Sequence, residues 1–312
     1  MRRLGTVRRL GTVVLTMTLA LFTVAVGPVA FAGKATSYPV SSVELSLASR
    51  GIQIPATVVM PVGKKHERFP LVVIHHGHGG GRNENGGLAR VADALAKAGI
   101  MSIRFDFAGA GDSAEPFTKL TYTTMLADSN AALTWAVRNL RVDKDRIGGF
   151  GYSEGSAVVA MQAGQPFTPY KAVALMGPVA DPTETFQGFF GAAQFQAYYA
   201  EAQANGFAVV TTPFGQVQDT SLEWFQETLA ADPAGDIAYF KGRVQLIWGE
   251  KEQVIPYSQV EAFQAATAES AKRTTLVTIP DADHGYGFYS NQPDVDAMLN
   301  SALVDFFRKA LR

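Results

Sequence analysis

Cysteine is absent from the 312-residue chain. No disulfide can form and no N-terminal cysteine can be lipidated, so stability must come from a hydrophobic core. An excess of positive charge is also missing: 27 lysines and arginines stand against 28 acidic residues. That balance argues against nucleic acid as a partner. No internal repeat and no low-complexity tract interrupts the sequence. Histidine is scarce, with five residues in all, which narrows any search for a catalytic base.

The first 32 residues read as an export signal. Arg2, Arg3, Arg8 and Arg9 precede an uncharged apolar run over 13–26, then a Gly27-Pro28 break and Ala30-Phe31-Ala32, an A-x-A cleavage pattern that makes Gly33 the mature N-terminus. The run is short for a bilayer span, so a cleaved leader is expected rather than a membrane anchor, with a secreted or periplasmic product. Without the leader's four arginines the formal charge moves from -1 to -5. The mature chain, 33–312, is long enough at about 280 residues to bury a core as one domain.

Short apolar runs alternate with helical patterns along this chain, which predicts an α/β fold with a mostly parallel sheet and helices on both faces. Eight strands are expected at 43–47, 52–60, 71–76, 101–107, 146–152, 172–176, 244–248 and 274–279. Helices are expected at 88–98, 125–140, 156–164, 257–266 and 295–311. Between the sixth and seventh of these strands lies an insertion at about 182–240 that holds a dozen aromatic residues. An apolar insertion at the carboxyl end of a strand sits where open α/β sheets place their ligands, and it predicts a lid or cap.

The chemistry centres on Gly151-Tyr152-Ser153-Glu154-Gly155, a G-x-S-x-G sequence between a strand pattern and a helix pattern. Such a turn presents a serine in an uncommon backbone conformation, and the glycines let strand and helix approach closely. A serine hydroxyl needs a base within hydrogen-bond reach and a third group to orient that base. His66, His75, His76 and His78 precede the serine, and only His284 follows it, just beyond the last expected strand. His284 is therefore the expected base. Glu252, after the penultimate strand, is the expected acid, with Glu250 and Asp181 as rivals and simple helix capping as Glu252's alternative role. The oxyanion of a tetrahedral intermediate needs two aimed donors. The backbone N–H of Glu154, at the positive end of the following helix, is one candidate. His78, in His75-His76-Gly77-His78-Gly79-Gly80-Gly81, is the other. Strand alternation sends His75 and His76 to opposite faces with no acidic or cysteine ligand nearby, so no metal and no cofactor is expected.

With these residues in order, the mature chain resembles the α/β-hydrolase superfamily, and within it dienelactone-hydrolase-like enzymes and bacterial cinnamoyl or feruloyl esterases. The resemblance is carried by His76-Gly77-His78-Gly79, the run from Arg104 to Ser113, Gly151 to Gly155, Gly249 to Pro256 and Ala282-Asp283-His284-Gly285. It implies Ser153 as nucleophile, His284 as base, Glu252 as acid and the amides of His78 and Glu154 as oxyanion donors. Asp106 and Asp112 are implied to shape their loop. Two positions depart from the pattern. The acid is usually aspartate, and Glu154 stands where related esterases often carry glutamine or methionine. An anionic residue there either favours cationic or uncharged substrates or interacts with the helix N-terminus. The expectation is an exported serine hydrolase acting on a small-molecule carboxylic ester of small acyl or aromatic type. A peptidase or amidase on the same fold, or a non-catalytic binding protein, are the alternatives.

Overall fold

Residues 37–312 are described in a computed structural model of the chain, and the expected signal at 1–32 lies outside the described residues. The strands in chain order are β1 (Val40–Ser49), β2 (Ile52–Pro61), β3 (Phe69–His75), β4 (Met101–Phe105), β5 (Val142–Tyr152), β6 (Tyr170–Met176), β7 (Phe207–Thr211), β8 (Val217–Ser221), β9 (Arg243–Gly249) and β10 (Arg273–Ile279). The helices are α1 (Gly87–Lys97), α2 (Tyr122–Asn139), α3 (Glu154–Gly164), α4 (Pro182–Phe190), α5 (Ala192–Asn205), α6 (Leu222–Ala230), α7 (Pro233–Ile237), α8 (Ser258–Thr267) and α9 (Pro293–Ala310). Among the described residues no helix is long and apolar enough to cross a membrane.

Every residue of β3 is buried, so this strand needs cover on both faces. A parallel sheet with helices above and below supplies it. The eight-stranded sheet runs β1-β2-β4-β3-β5-β6-β9-β10. The β1–β2 and β2–β4 pairs are antiparallel and the remaining neighbours are parallel. Arg50 and Gly51, at φ 50° and 83°, form the two-residue turn between β1 and β2, with both residues left-handed as the twist of a hairpin prefers. All eight expected strands are the strands of this sheet. One core layer packs α2, α3 and α8 on the sheet through Met125, Val158 and Phe263. The other packs α1 and α9 through Leu95, Leu299 and Phe307. Helix α2 begins three residues earlier than its apolar period suggests, because Thr121 and Thr124 form a reciprocal capping box.

The insertion after β6 folds as α4, α5, the antiparallel hairpin β7–β8, α6 and α7. It has an apolar centre of its own, with Phe186, Phe195, Trp224 and Phe225 buried together. Three of its four helices start on side-chain caps, Asp181 on Glu184 N–H, Ser221 on Trp224 N–H and Asp232 on Gly235 N–H, while α5 starts after Gly191 without one. Glu227 of α6 accepts from the backbone N–H and hydroxyl of Thr123, which ties the insertion to the start of α2.

The end of β3 carries a buried polar line into the core. His75 is fully buried, with Nδ1 3.1 Å from the Phe150 carbonyl and Nε2 2.6 Å from Ser129 Oγ. Ser129 Oγ lies 2.7 Å from Gln162 Oε1, which accepts from the Tyr170 hydroxyl. Burial pulls the His75 pKa down from 6.5 to about 4, so the folded ring stays neutral where the unfolded ring would take up a proton. Protons then favour the unfolded chain as pH falls from about 6.5 towards 4, a linkage on the order of 3 kcal/mol. Urea unfolding should show wild-type stability falling across this window. A His75→Gln variant should fall less steeply over the same range, whatever its stability at pH 7.

Candidate active site

Strand β5 ends at Tyr152 and α3 begins at Glu154, so a single residue, Ser153, turns the chain from strand to helix. Ser153 sits at φ 51° and ψ -127°, a region costly for a residue with a Cβ. Neighbouring hydrogen bonds hold it there. Its N–H donates to the Met176 carbonyl (2.8 Å), and its own carbonyl accepts from Ser156 N–H (2.8 Å) and Ser156 Oγ (2.6 Å). The flanking glycines are needed for space. A Cβ on Gly151 would fall 2.3 Å from the Gly155 carbonyl oxygen, and one on Gly155 would fall 2.4 Å from that of His76.

The loops after β9 and β10 bring the remaining partners to this turn. His284 Nε2 lies 3.1 Å from Ser153 Oγ, and His284 Nδ1 lies 2.9 Å from Glu252 Oε2. The Glu252 side chain is fully buried. Its other oxygen accepts from the backbone N–H groups of Val254 (2.8 Å) and Ile255 (3.2 Å) in its own loop; it does not cap the following helix, since α8 starts after Tyr257 with no side-chain cap. The rivals are engaged elsewhere: Asp181 caps α4, and Glu250 accepts from Asp281 N–H. The histidine loop is fastened from below. Tyr152 donates its hydroxyl to the His284 carbonyl, and the Tyr286 hydroxyl donates to the Ile247 carbonyl while accepting from Gly249 N–H. Burial raises both tyrosine hydroxyls well above their ordinary range, so they remain protonated struts. An imidazole held between a hydroxyl and a carboxylate in this way can take the hydroxyl proton, and the carboxylate stabilises the imidazolium that results.

Ser153, His284, His78 and Glu154 share the wall of a cavity of about 440 Å³. The insertion supplies part of the same wall through Phe186, Phe189 and Phe214. As the first residue of α3, Glu154 has an N–H with no acceptor inside its helix. On the facing loop, Gly77 N–H is taken by Glu84 Oε1 at 2.8 Å, which leaves the next amide, that of His78, as the loop's candidate donor. The histidines singled out in the sequence separate clearly. His75 is in the core. His76 accepts from Phe107 N–H on Nε2 and meets the Gly77 carbonyl with Nδ1. His66 is an exposed loop residue. In the neighbouring loop, buried Asp106 accepts from the backbone N–H groups of Arg82 and Asp112.

Several polar contacts in and behind the cavity wall had no sequence signal. Glu84 lies in a glycine- and asparagine-rich loop without periodicity, yet it is buried and accepts from the Tyr289 hydroxyl as well as from Gly77. Gln218 and Trp224, inside the insertion, bond to His78 and Glu154 respectively. Their contacts span 140 and 70 positions of sequence, separations that no local pattern marks.

The sequence model described as the prolyl oligopeptidase family matches residues 88–312. A curated relative, an uncharacterized 31.7 kDa protein in the traX-finO intergenic region of Escherichia coli, is 34% identical over 118 residues, 38% of this chain and only 39% of that protein. Among solved structures, Est1E from Butyrivibrio proteoclasticus with ferulic acid bound superposes with a TM-score of 0.70 at 21% identity, covering 85% of this chain and 98% of that one. The Pyrococcus horikoshii acylaminoacyl peptidase superposes with a TM-score of 0.67 at 14% identity, covering 87% of this chain and 42% of that one.

The geometry separates the three carboxylates by their expected effects. Replacing Glu252 with alanine should slow covalent labelling of Ser153 by a fluorophosphonate on the order of a thousandfold. Alanine at Glu250 or Asp181 should change the labelling rate by less than about threefold. Equal losses for all three would remove Glu252 from its assigned place.

Proposed function

Because the chain belongs to the prolyl oligopeptidase family of α/β-hydrolase fold serine hydrolases, we propose that it is an exported hydrolase of carboxylic esters with Ser153 as nucleophile. The observation that carries this reading is the hydrogen-bonded line from Ser153 Oγ through His284 to Glu252 at the floor of an aromatic-walled cavity. His284 takes the serine proton as Oγ attacks the acyl carbonyl. The amides of His78 and Glu154 receive the developing oxyanion. His284 then protonates the leaving alcohol, and water, activated by the same imidazole, releases the acid. Export is supported by the basic, apolar and A-x-A order of residues 1–32.

The lining of the cavity by Phe186, Phe189 and Phe214 supports a lid role for the insertion, with an inner surface suited to an apolar acyl or aryl group. The cavity's charge narrows the substrate further. Glu84, Glu154 and Asp283 line it, and no lysine or arginine does among the described residues. A substrate carboxylate would meet like charge a few ångström away, at a cost of about 1–4 kcal/mol for an effective dielectric between those of water and a protein surface. Uncharged or cationic esters are therefore the favoured class. The second reading is peptide or amide cleavage, favoured by the acylaminoacyl peptidase likeness. It requires the same residues with a poorer leaving group.

Turnover of acetyl, butyryl, octanoyl and hydroxycinnamoyl esters beside a matched set of aminoacyl and peptide amides tests the assignment. Ester turnover that disappears in Ser153→Ala is expected, and turnover undiminished in that variant would falsify it. Amide turnover exceeding that of esters would establish the second reading. Within the ester set, a neutral ester should exceed its carboxylate-bearing analogue at least tenfold in kcat/KM at low salt, with the gap narrowing as salt screens the cavity.

A further inference from the structure

The Glu154 side chain lies beside the proposed nucleophile yet is only 1% exposed. A buried carboxylate is costly unless charge partners or donors satisfy it. Two hydrogen bonds satisfy Glu154, and the buried Tyr122 hydroxyl faces it as well. Glu154 Oε2 accepts from His78 Nδ1 at 3.0 Å, and its Oε1 accepts from the indole N–H of Trp224 at 3.1 Å. His78 continues the chain, with Nε2 meeting the carboxamide of Gln218 at 2.9 Å. His78 and Glu154 are the two residues whose backbone amides the proposed mechanism uses for the oxyanion. Trp224 and Gln218 belong to α6 and β8 of the insertion. The glycine loop and the hairpin are in close contact here: a Cβ on Gly79 would fall 2.2 Å from Gln218 Nε2. The His78 ring is also boxed by Phe117, Phe186 and Trp224, with ring centroids 5.2–5.5 Å away.

We propose that His78 and Glu154 form a positioning pair that fixes both oxyanion amides relative to each other, and that the insertion locks this pair through Trp224 and Gln218. The proposal rests on the functional reading above and gives the insertion a second role besides walling the pocket. One amide is on the loop after β3 and the other is at the start of α3, each three residues beyond the last pair of these neighbouring strands, His75 with Gly151. Past that pair the two chains diverge into a loop and a helix, and the side-chain bond between the same two residues adds the constraint that the sheet no longer supplies there. The insertion approaches from the far side and occupies the remaining polar atoms of both, so displacing it would leave a buried carboxylate short of a donor and loosen the loop. None of the four side chains touches the reacting atoms. Their effect is expected in transition-state stabilisation rather than in substrate affinity.

The test uses Trp224→Phe, which keeps an aromatic ring but removes the indole donor, Gln218→Leu, Glu154→Gln and Glu154→Ala. For Trp224→Phe and Glu154→Ala, kcat should drop about tenfold or more while KM stays within about threefold, and a boronic acid that mimics the tetrahedral intermediate should lose affinity by the same factor. Glu154→Gln, which retains an acceptor for Trp224, should recover part of the loss. Combining Glu154→Ala with His78→Ala should cost little more than either alone, as expected of residues acting as a unit. Backbone hydrogen exchange over 77–81 should accelerate in Trp224→Phe and Gln218→Leu. A raised KM with kcat and boronate affinity unchanged would overturn the proposal in favour of a pocket-wall role, and unchanged exchange in both insertion variants would overturn it as well. If Glu154→Ala does not fold, the two insertion variants decide. If the wild type shows no Ser153-dependent turnover, the functional reading fails, and hydrogen exchange alone still judges whether the lock exists.

Discussion

The site depends on one residue changing the direction of the chain. β5 must end and α3 begin within the width of Ser153, and this is possible only because Gly151 and Gly155 lack the side chains that would meet backbone at 2.3–2.4 Å. The helix then approaches the β3 terminus closely enough that the His76 carbonyl lies beside Gly155. That approach brings the glycine loop at 77–81 and the first amide of α3 to the same cavity. The unfavourable φ of Ser153 is held by bonds to Met176 and Ser156. Strain at this position is thus offset by the sheet and helix on either side. The same parallel register carries β9 and β10 to the same edge, so Glu252 and His284 emerge from consecutive carboxyl ends and need only short loops to reach Ser153.

Around this turn the protein places several carboxylates in poorly solvated positions and supplies each with its own donors. Glu252 has two backbone amides and an imidazole. Glu84 has the Gly77 amide and the Tyr289 hydroxyl. Glu154 has an imidazole and an indole. The donors lie on the glycine loop, the loops after β9 and β10, and α6, so satisfying the charges also fixes loops that the sheet alone leaves free. The tyrosines contribute in the same way: burial raises their hydroxyl pKa values, and they act as neutral hydrogen-bond struts under the histidine loop. Electrostatic satisfaction and loop geometry are therefore one problem at this site. Removing any one acceptor would release a donor and move a loop.

The fold was legible in the sequence because its signals are local. The buried strands are continuous runs of β-branched and aliphatic residues, the helices keep their apolar period, and the sharp turn is marked by glycines at fixed spacing. All eight expected strands occur in the large sheet. Element boundaries differ by a few residues where a cap or a hairpin turn, not hydrophobicity, sets the end, as at Thr121 before α2 and Arg50 after β1. The convergence of Ser153, His284 and Glu252 was also legible, since chain order and position after a strand both restrict the choices. The interior of the insertion was not. Its hairpin and helices are short, and its aromatic residues serve a small core of their own as well as the cavity, so composition indicates burial without saying against what. Nor could the environment of Glu154 be read. The sequence placed an anionic residue beside the serine, and only the tertiary contacts turn its carboxylate towards His78 and Trp224.

The insertion's position bears on substrate size. A cavity of about 440 Å³ lies towards the small end of the range typical of ligand pockets. Part of its wall is the inner surface of the insertion, which is anchored to the main domain at Thr123 through Glu227 and at the glycine loop through Gln218. Phe214 and Gln216 of the β7–β8 turn line the cavity, so on the proposed reading widening it for a long polypeptide would mean lifting this hairpin from the glycine loop, to which Gln216 and Gln218 bond. Under the proposed lock, that motion would also slacken the oxyanion site and slow the chemistry it admits. On the proposed reading a compact ester would occupy the cavity with the hairpin seated, and the geometry that excludes bulk would be the same geometry that holds the two amides for the intermediate.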